Sequence, residues 1–275
     1  MTTSIQDNSL ILADAHVHLH DCFPLDRVLD AALENFSRFG KPEAGFQGVL
    51  FLAEMANQNQ FEQLFQQSGQ EKGYMVGNWT LYQTEESVSL SAVHISGQEI
   101  VILAGRQLVT AEKLEVLALI TDCPFADGMP LEETIETILA ADGIPVLPWG
   151  VGKWIGKRGK RLQALLQAQK FPLYLGDNSG RPMFWFRSPY FQQAEAQGLR
   201  ILPGTDPLPL ASEFQRPGSF GFKTQGTLSR QQPGQAMKQV LMNPATAISP
   251  YGSLENPFRF LQNQLQIRAK KKPDS

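Results

Sequence analysis

Apolar positions along the chain follow two periods. Residues 10–18 form an almost continuous apolar run, Leu10-Ile-Leu-Ala-Asp-Ala-His-Val-His, which predicts a buried β-strand. Residues 25–39 carry Leu25, Val28, Leu29, Ala32, Leu33 and Phe36 at helical spacing and stop at Gly40, which predicts a helix. Residues 46–53 predict a second buried strand, and residues 57–67 a second helix with Phe61, Leu64 and Phe65 on one face. Such a β-α-β-α opening is the pattern of a parallel sheet with crossover helices.

Between residues 73 and 110 the apolar runs shorten and are split by Gly73, Gly77 and Gly97, a pattern that predicts a β-hairpin excursion. Alternation then returns. Strands are expected at 114–120, 144–148, 172–175 and 199–202, and helices at 131–141, 159–169, 189–197, 234–242 and 255–268. About seven strands alternating with helices point to an α/β fold, a distorted seven-stranded (β/α) barrel. A doubly wound sheet is the alternative, but no Gly-x-Gly-x-x-Gly follows the first strand. No repeat or linker divides the chain, so residues 9–268 are expected to form one domain, with 269–275 a basic tail.

Composition narrows the function classes. The 275 residues are 42% hydrophobic and 19% charged, the balance of a globular chain. The 24 Lys+Arg against 27 Asp+Glu give a net charge of −3, which leads to the expectation that no nucleic acid is bound. No apolar run is long enough to span a membrane and no secretory signal is visible. Two cysteines cannot form a disulfide framework, so a soluble, cytoplasmic protein with reduced thiols is expected.

The first strand carries the candidate chemistry. Strict alternation places Leu12, Asp14, His16 and His18 on one face, and Ile11, Ala13, Ala15, Val17 and Leu19 on a face suited to packing under helices. Three of the four histidines fall within residues 16–20, at the C-terminal end of the strand, where barrel active sites are built. Two imidazoles at i and i+2 can share one metal ion, and hydrogen-bonded core histidines are the competing reading. Asp206 ends a second apolar strand in Gly-Thr-Asp-Pro, where it can complete a metal site, accept a proton, or simply cap a turn.

Asp14-Ala-His16-Val-His18-Leu resembles the opening of the PHP (polymerase and histidinol phosphatase) family and of amidohydrolase-like metal hydrolases. Further stretches are similar in the same order over residues 10–221: Ala104-Gly-Arg-Gln107-Leu-Val-Thr, Leu114-Glu115-Val-Leu-Ala-Leu, Leu131-Glu-Glu-Thr-Ile, Ile144-Pro-Val-Leu-Pro-Trp149 and Leu202-Pro-Gly-Thr-Asp206-Pro-Leu208. Asn243-Pro-Ala-Thr-Ala resembles the amidohydrolases near their C-terminal end. The resemblance implies a PHP-like, TIM-barrel-like phosphoesterase fold with several bound metals. Its ligand positions are degenerate here, with Gln107 for a Glu, Glu115 for a His, Trp149 for a His and Leu208 for a His. Only His16, His18 and Asp206 carry over. They imply one divalent ion (Zn, Mn or Mg), with Asp206 and Glu115 as the catalytic candidates.

The loop Gly150 to Arg161 holds four glycines and five basic residues before a helix. Lys153, Lys157 and Arg158 are therefore candidates for binding a phosphate or carboxylate, and a solvated basic loop is the competing reading. Asn178 and Arg181, after the strand at 172–175, are further substrate candidates that turn chemistry explains equally well. Phe184-Trp185-Phe186 reads as core, with a stacking surface as the alternative. His94 reads as a structural histidine and Cys22 as a small buried thiol.

Two functions follow. The first is a metal-dependent hydrolase acting on a phosphorylated or otherwise anionic small molecule. The second is a non-catalytic relative that binds a ligand or partner after losing most metal ligands.

Overall fold

The computed structural model describes residues 9–40 and 45–270, with side chains through residue 267. The expected tail lies outside the described residues from 271 onward, and the helix before it runs through Lys270.

In chain order the strands are β1 (Ser9–Val17), β2 (Phe46–Leu52), β3 (Tyr74–Val76), β4 (Trp79–Gln83), β5 (Ser89–His94), β6 (Glu99–Leu103), β7 (Gly105–Val109), β8 (Glu115–Leu119), β9 (Ile144–Pro148), β10 (Tyr174–Asn178), β11 (Ile201–Gly204), β12 (Phe220–Gly226) and β13 (Ser249–Gly252). The α-helices are α1 (Leu25–Ser37), α2 (Gln60–Gln67), α3 (Leu131–Ala140), α4 (Gly156–Ala168), α5 (Pro189–Ala196), α6 (Pro233–Met242) and α7 (Pro257–Lys270), and a 3-10 helix spans Ala211–Gln215.

The expected α/β class holds, but the hydrogen-bonded ladders among the described residues form two sheets and no closed barrel. One sheet runs β13-β12-β1-β2-β6-β5-β4-β3 and the other β11-β10-β9-β8-β7. β1 lies centrally, parallel to β2 and antiparallel to β12. The hairpin excursion is divided: β3, β4 and β5 extend the first sheet from β6, whereas β7 pairs antiparallel with β8 in the second. The two sheets meet at two seams. At one, the Glu54 N–H donates to Gly105 O at 3.0 Å and the Gln107 N–H to Glu54 O at 2.8 Å. At the other, the Asp206 N–H donates to His16 O at 2.8 Å. Each seam has too few bonds to make a ladder, and each is made at a glycine. A Cβ on Gly105 would lie 2.3 Å from Leu52 O, and one on Gly204 would lie 2.4 Å from His16 N.

Three apolar clusters form the core. Leu12, Val28, Leu29, Phe36 and Trp79 join α1 to the first sheet. Ile11, Val49, Phe51, Val101, Leu117, Val146 and Leu202 fill the space between the sheets. Ile135, Ile138, Leu162, Leu166, Leu175 and Phe191 seat α3, α4 and α5 on the second sheet. These side chains are essentially solvent-free, and full burial of each such residue stabilises the fold by roughly 1.5–3 kcal/mol before the entropy of ordering is subtracted. No helix among the described residues is long and apolar enough to cross a membrane.

Candidate metal centre

Strict alternation along β1 breaks just before the site. Asp14 lies opposite Leu50 while Val17 lies opposite Leu52, so one extra residue is inserted between them. A bulge of this kind reverses which face the following side chains take. Val17 and Leu19 accordingly join Leu12 in the cluster under α1, whereas Ile11, Ala13 and Ala15 face the space between the sheets. The Asp14 side chain thereby takes the opposite face from the His16 and His18 rings, contrary to the expectation of one shared face, and it accepts the His16 backbone N–H at 3.3 Å. Its fully buried carboxylate accepts the Thr205 N–H at 2.8 Å, the Thr205 hydroxyl at 2.6 Å and the Gly218 N–H at 2.9 Å. Burial pushes the Asp14 carboxyl up to about 6, even though these hydrogen bonds favour its ionised form.

The bulge aims His16 and His18 at the seam between the sheets. Their Nε2 atoms lie 3.0 Å apart, and Asp206 Oδ1 lies 3.6 Å from the first and 3.3 Å from the second. Gln107 Oε1 is 3.1 Å from His16 Nε2, and the Asn178 amide donates to Asp206 Oδ2. Asp206 itself adopts a left-handed backbone (φ 48°), a conformation that Asp tolerates and that often marks a strained functional position. His20 Nε2, 2.9 Å from Pro207 O, ties the end of β1 to the loop that carries Asp206.

These three donors fit a metal ion. Tetrahedral sites with ligand bonds of about 2.0–2.2 Å separate their ligand atoms by about 3.3–3.6 Å, close to the spacing found. The protonation states fit as well. Burial lowers the His16 imidazole towards its neutral form, against the attraction of Asp206. For Asp206, burial works upward, but the two imidazoles and the Asn178 hydrogen bond hold the carboxyl well below the usual range. A neutral imidazole and an ionised carboxylate are the forms a metal requires. One usual support is missing: His18 Nδ1 is buried without a hydrogen-bond partner, where metal-bound histidines normally donate to an acceptor.

A cavity of about 250 Å³ opens onto Asp206. All four positions at which the chain departs from the resembled pattern line it: Gln107, Glu115, Trp149 and Leu208. Lys153 and Asn178 line it too. Glu115 stands outside the three-donor group, with its Oε1 2.6 Å from Lys153 Nζ. Lys157 is exposed on α4, and Arg158 donates to Gly152 O at 2.6 Å; neither lines the cavity. Arg181 is buried and makes a two-pronged pair with Asp177, at 3.1 and 2.9 Å, so it too lies off the cavity. A larger cavity of about 710 Å³ adjoins through Arg216 and Glu255 and contains none of the three donors.

Two further expectations are corrected, and one set of cavity residues was not expected at all. Phe186 is 98% exposed and Phe184 56%, so the aromatic triplet is not core. Cys22 is exposed, because the chain leaves the sheet as a turn directly after His20. The roof of the cavity, Phe260, Asn263 and Gln264 of α7, is absent from the sequence-derived candidates. Its helix reads from sequence as an ordinary C-terminal segment, and nothing in its own pattern points to the distant first strand. His94 is half-buried and packs against Trp79 with ring centroids 4.9 Å apart, as a structural histidine would.

No protein-family model matches the chain, and no curated protein matches its sequence. Solved structures do. PsfC from Pseudomonas syringae PB-5123 is 16% identical over 96% of this chain and 100% of its own, with a TM-score of 0.59. The lesion-specific endonuclease PfuEndoQ from Pyrococcus furiosus is 10% identical over 88% of this chain, with a TM-score of 0.52, and this chain spans 59% of its length. A two-domain protein from Bacteroides vulgatus ATCC 8482, containing a predicted PHP-like metal-dependent phosphoesterase, is 12% identical over 97% of this chain and 72% of its own, with a TM-score of 0.47. The endonuclease corrects one expectation. A fold of this kind serves a nucleic-acid enzyme, so the net charge of −3 gives no ground for excluding nucleic acid. At these identities the shared property is the fold, and this chain has the fold of PsfC and of PfuEndoQ.

Proposed function

We propose that the chain is a metal-dependent hydrolase of the PHP-like kind, acting on a phosphorylated or otherwise anionic small molecule, with a single ion held by His16, His18 and Asp206. The observation that carries this reading is the convergence of three donor atoms within 3.0–3.6 Å, one of which, Asp206, lines a cavity. When bound, a divalent ion there supplies Lewis-acid polarisation of the scissile group and lowers the pKa of water. Asn178 orients Asp206, and Gln107 fixes the His16 ring. Lys153 places a cation for the substrate's anionic group, and Glu115 is the carboxylate positioned to accept a proton from water. The endonuclease PfuEndoQ, whose fold this chain shares, agrees with this class of chemistry. The free thiols of Cys22 and Cys123 accord with a reducing, cytoplasmic setting.

The non-catalytic reading also has an observation in its favour. Glu115 is already engaged by Lys153, and Trp149 and Leu208 give the cavity walls without ligand atoms. One experiment separates the two readings: a screen of phosphomonoesters and a lesion-containing duplex DNA with Zn²⁺, Mn²⁺ or Mg²⁺, using Asp206→Asn as control. Turnover that depends on metal and is lost in the variant supports the hydrolase. Metal binding without turnover of any substrate class supports the binding protein.

A further inference from the structure

We propose that the cavity lined by Asp206 takes a ligand with an anionic group and one planar aromatic ring, the ring stacked against Trp149 and Phe260. This deepens the reading of the site as an anion-binding centre by naming the chemistry of the rest of the ligand.

Trp149 stands at the end of β9, where its backbone N–H donates to Gly176 O at 2.8 Å; it is 8% exposed and is one of the residues lining the cavity. Phe260, half-buried on α7, lines the same cavity. Trp185 joins them from the loop between β10 and α5. Its ring centroid lies 6.0 Å from that of Trp149, edge-on at 76°, and 5.7 Å from that of Phe260, tilted at 59°. These are ordinary separations for interacting aromatic rings. Two elements far apart in sequence therefore supply aromatic surface to the cavity, and Trp185 packs against both rings. Lys153 and Asn178 supply polar groups to the same cavity, beside Asp206. A site lined by both convergent polar groups and aromatic side chains suits an amphipathic ligand. Its volume of about 250 Å³ falls just below the roughly 300–1,000 Å³ of common small-molecule pockets, which limits the occupant to about one ring and one anionic group.

The rings are not needed merely to fasten α7. That helix has its own anchors, with Arg259 Nη2 3.0 Å from Glu213 Oε1 and the Asn263 amide 3.4 Å from the same oxygen.

The test is the affinity of phenylphosphonate against methylphosphonate for the full chain, with Zn²⁺ present, read by tryptophan fluorescence and calorimetry. Phenylphosphonate should bind about tenfold tighter, about 1.4 kcal/mol. That preference should fall below about threefold in Trp149→Leu and in Phe260→Leu, with methylphosphonate affinity unchanged in the latter. Phe260 lies on a half-buried helix face, so its variant tests the idea even if the Trp149 variant fails to fold. Equal affinities in the wild type, or a preference that survives both substitutions, would overturn it. Phosphonates are not hydrolysed, so a protein without turnover still shows the preference, and loss of the preference leaves the hydrolase reading standing. Thymidine monophosphate and a short thymidine oligonucleotide then tell the ring's source, a free ester or a strand, by which of them binds tighter in a Trp149-dependent way.

Discussion

The end of β1 and the loop from Gly150 to Arg161 both attract attention in the sequence, for opposite reasons. The first offers few residues in a defined place; the second offers many charges in an undefined one. In the structure His16 and His18 meet Asp206 at a seam between two sheets. Of the five cations in the loop, Lys153 alone reaches the cavity, and Glu115 already meets its charge. Arg158 satisfies backbone carbonyls, and Arg161 pairs with Glu132 at 3.0 Å. Placement on a rigid strand end concentrates chemistry, whereas charge composition on a loop disperses into local pairs.

If that contrast is correct, the strand site is built into the fold and the loop is not. Gly204→Ala should break it most severely. The added Cβ would sit 2.4 Å from His16 N and 2.5 Å from His16 Cβ, and neither can yield without moving β1. A loss of about 3 kcal/mol in urea unfolding is expected, against less than about 0.5 kcal/mol for Lys157→Ala on the exposed first turn of α4. Similar losses for the two would erase the contrast.

Asp14→Ala is next. It leaves the buried Thr205 and Gly218 donors without an acceptor, which should cost about 2–3 kcal/mol at pH 4–5. This cost has a pH signature. The folded carboxyl titrates at about 6, above the unfolded value of 3.8, so the folded state holds the extra proton between those values. The Asp14 contribution to wild-type stability in chelator should therefore be full below about pH 4 and be lost as pH rises through 6. The difference between wild type and Asp14→Ala should shrink over that window; a constant difference would contradict the buried, upshifted carboxyl.

The smallest effects concern the loop itself. Lys153→Ala should weaken methylphosphonate binding about fivefold, on the order of 1 kcal/mol for a partly exposed cation. Lys157→Ala and Arg158→Ala should change it less than about twofold, since neither side chain lines the cavity. An equal loss from all three would return the loop to the role its composition suggests.

What was legible in the sequence divides along the same line. His16, His18 and Asp206 could be read because each ends an apolar strand, and the mixed α/β class could be read from alternating periods. β12 was missed although Phe220, Phe222 and Thr224 alternate with Gly221, Lys223 and Gln225, since two glycines masked the run. The break in alternation between Asp14 and Val17 was not legible, because a bulge is an agreement between two strands and leaves no mark in either alone. The cover formed by α7 was hidden for a similar reason: its contacts with the cavity are long-range and its own pattern is that of any surface helix.

The central claim is that His16, His18 and Asp206 form one metal centre. Elemental analysis of chelator-stripped protein after reloading with Zn²⁺ and removal of excess ion tests it most directly, with wild type beside the double variant His16→Ala, His18→Ala. We expect about one equivalent per chain in the wild type and none in the variant. No retained zinc in the wild type, or one equivalent surviving in the variant, would contradict the claim.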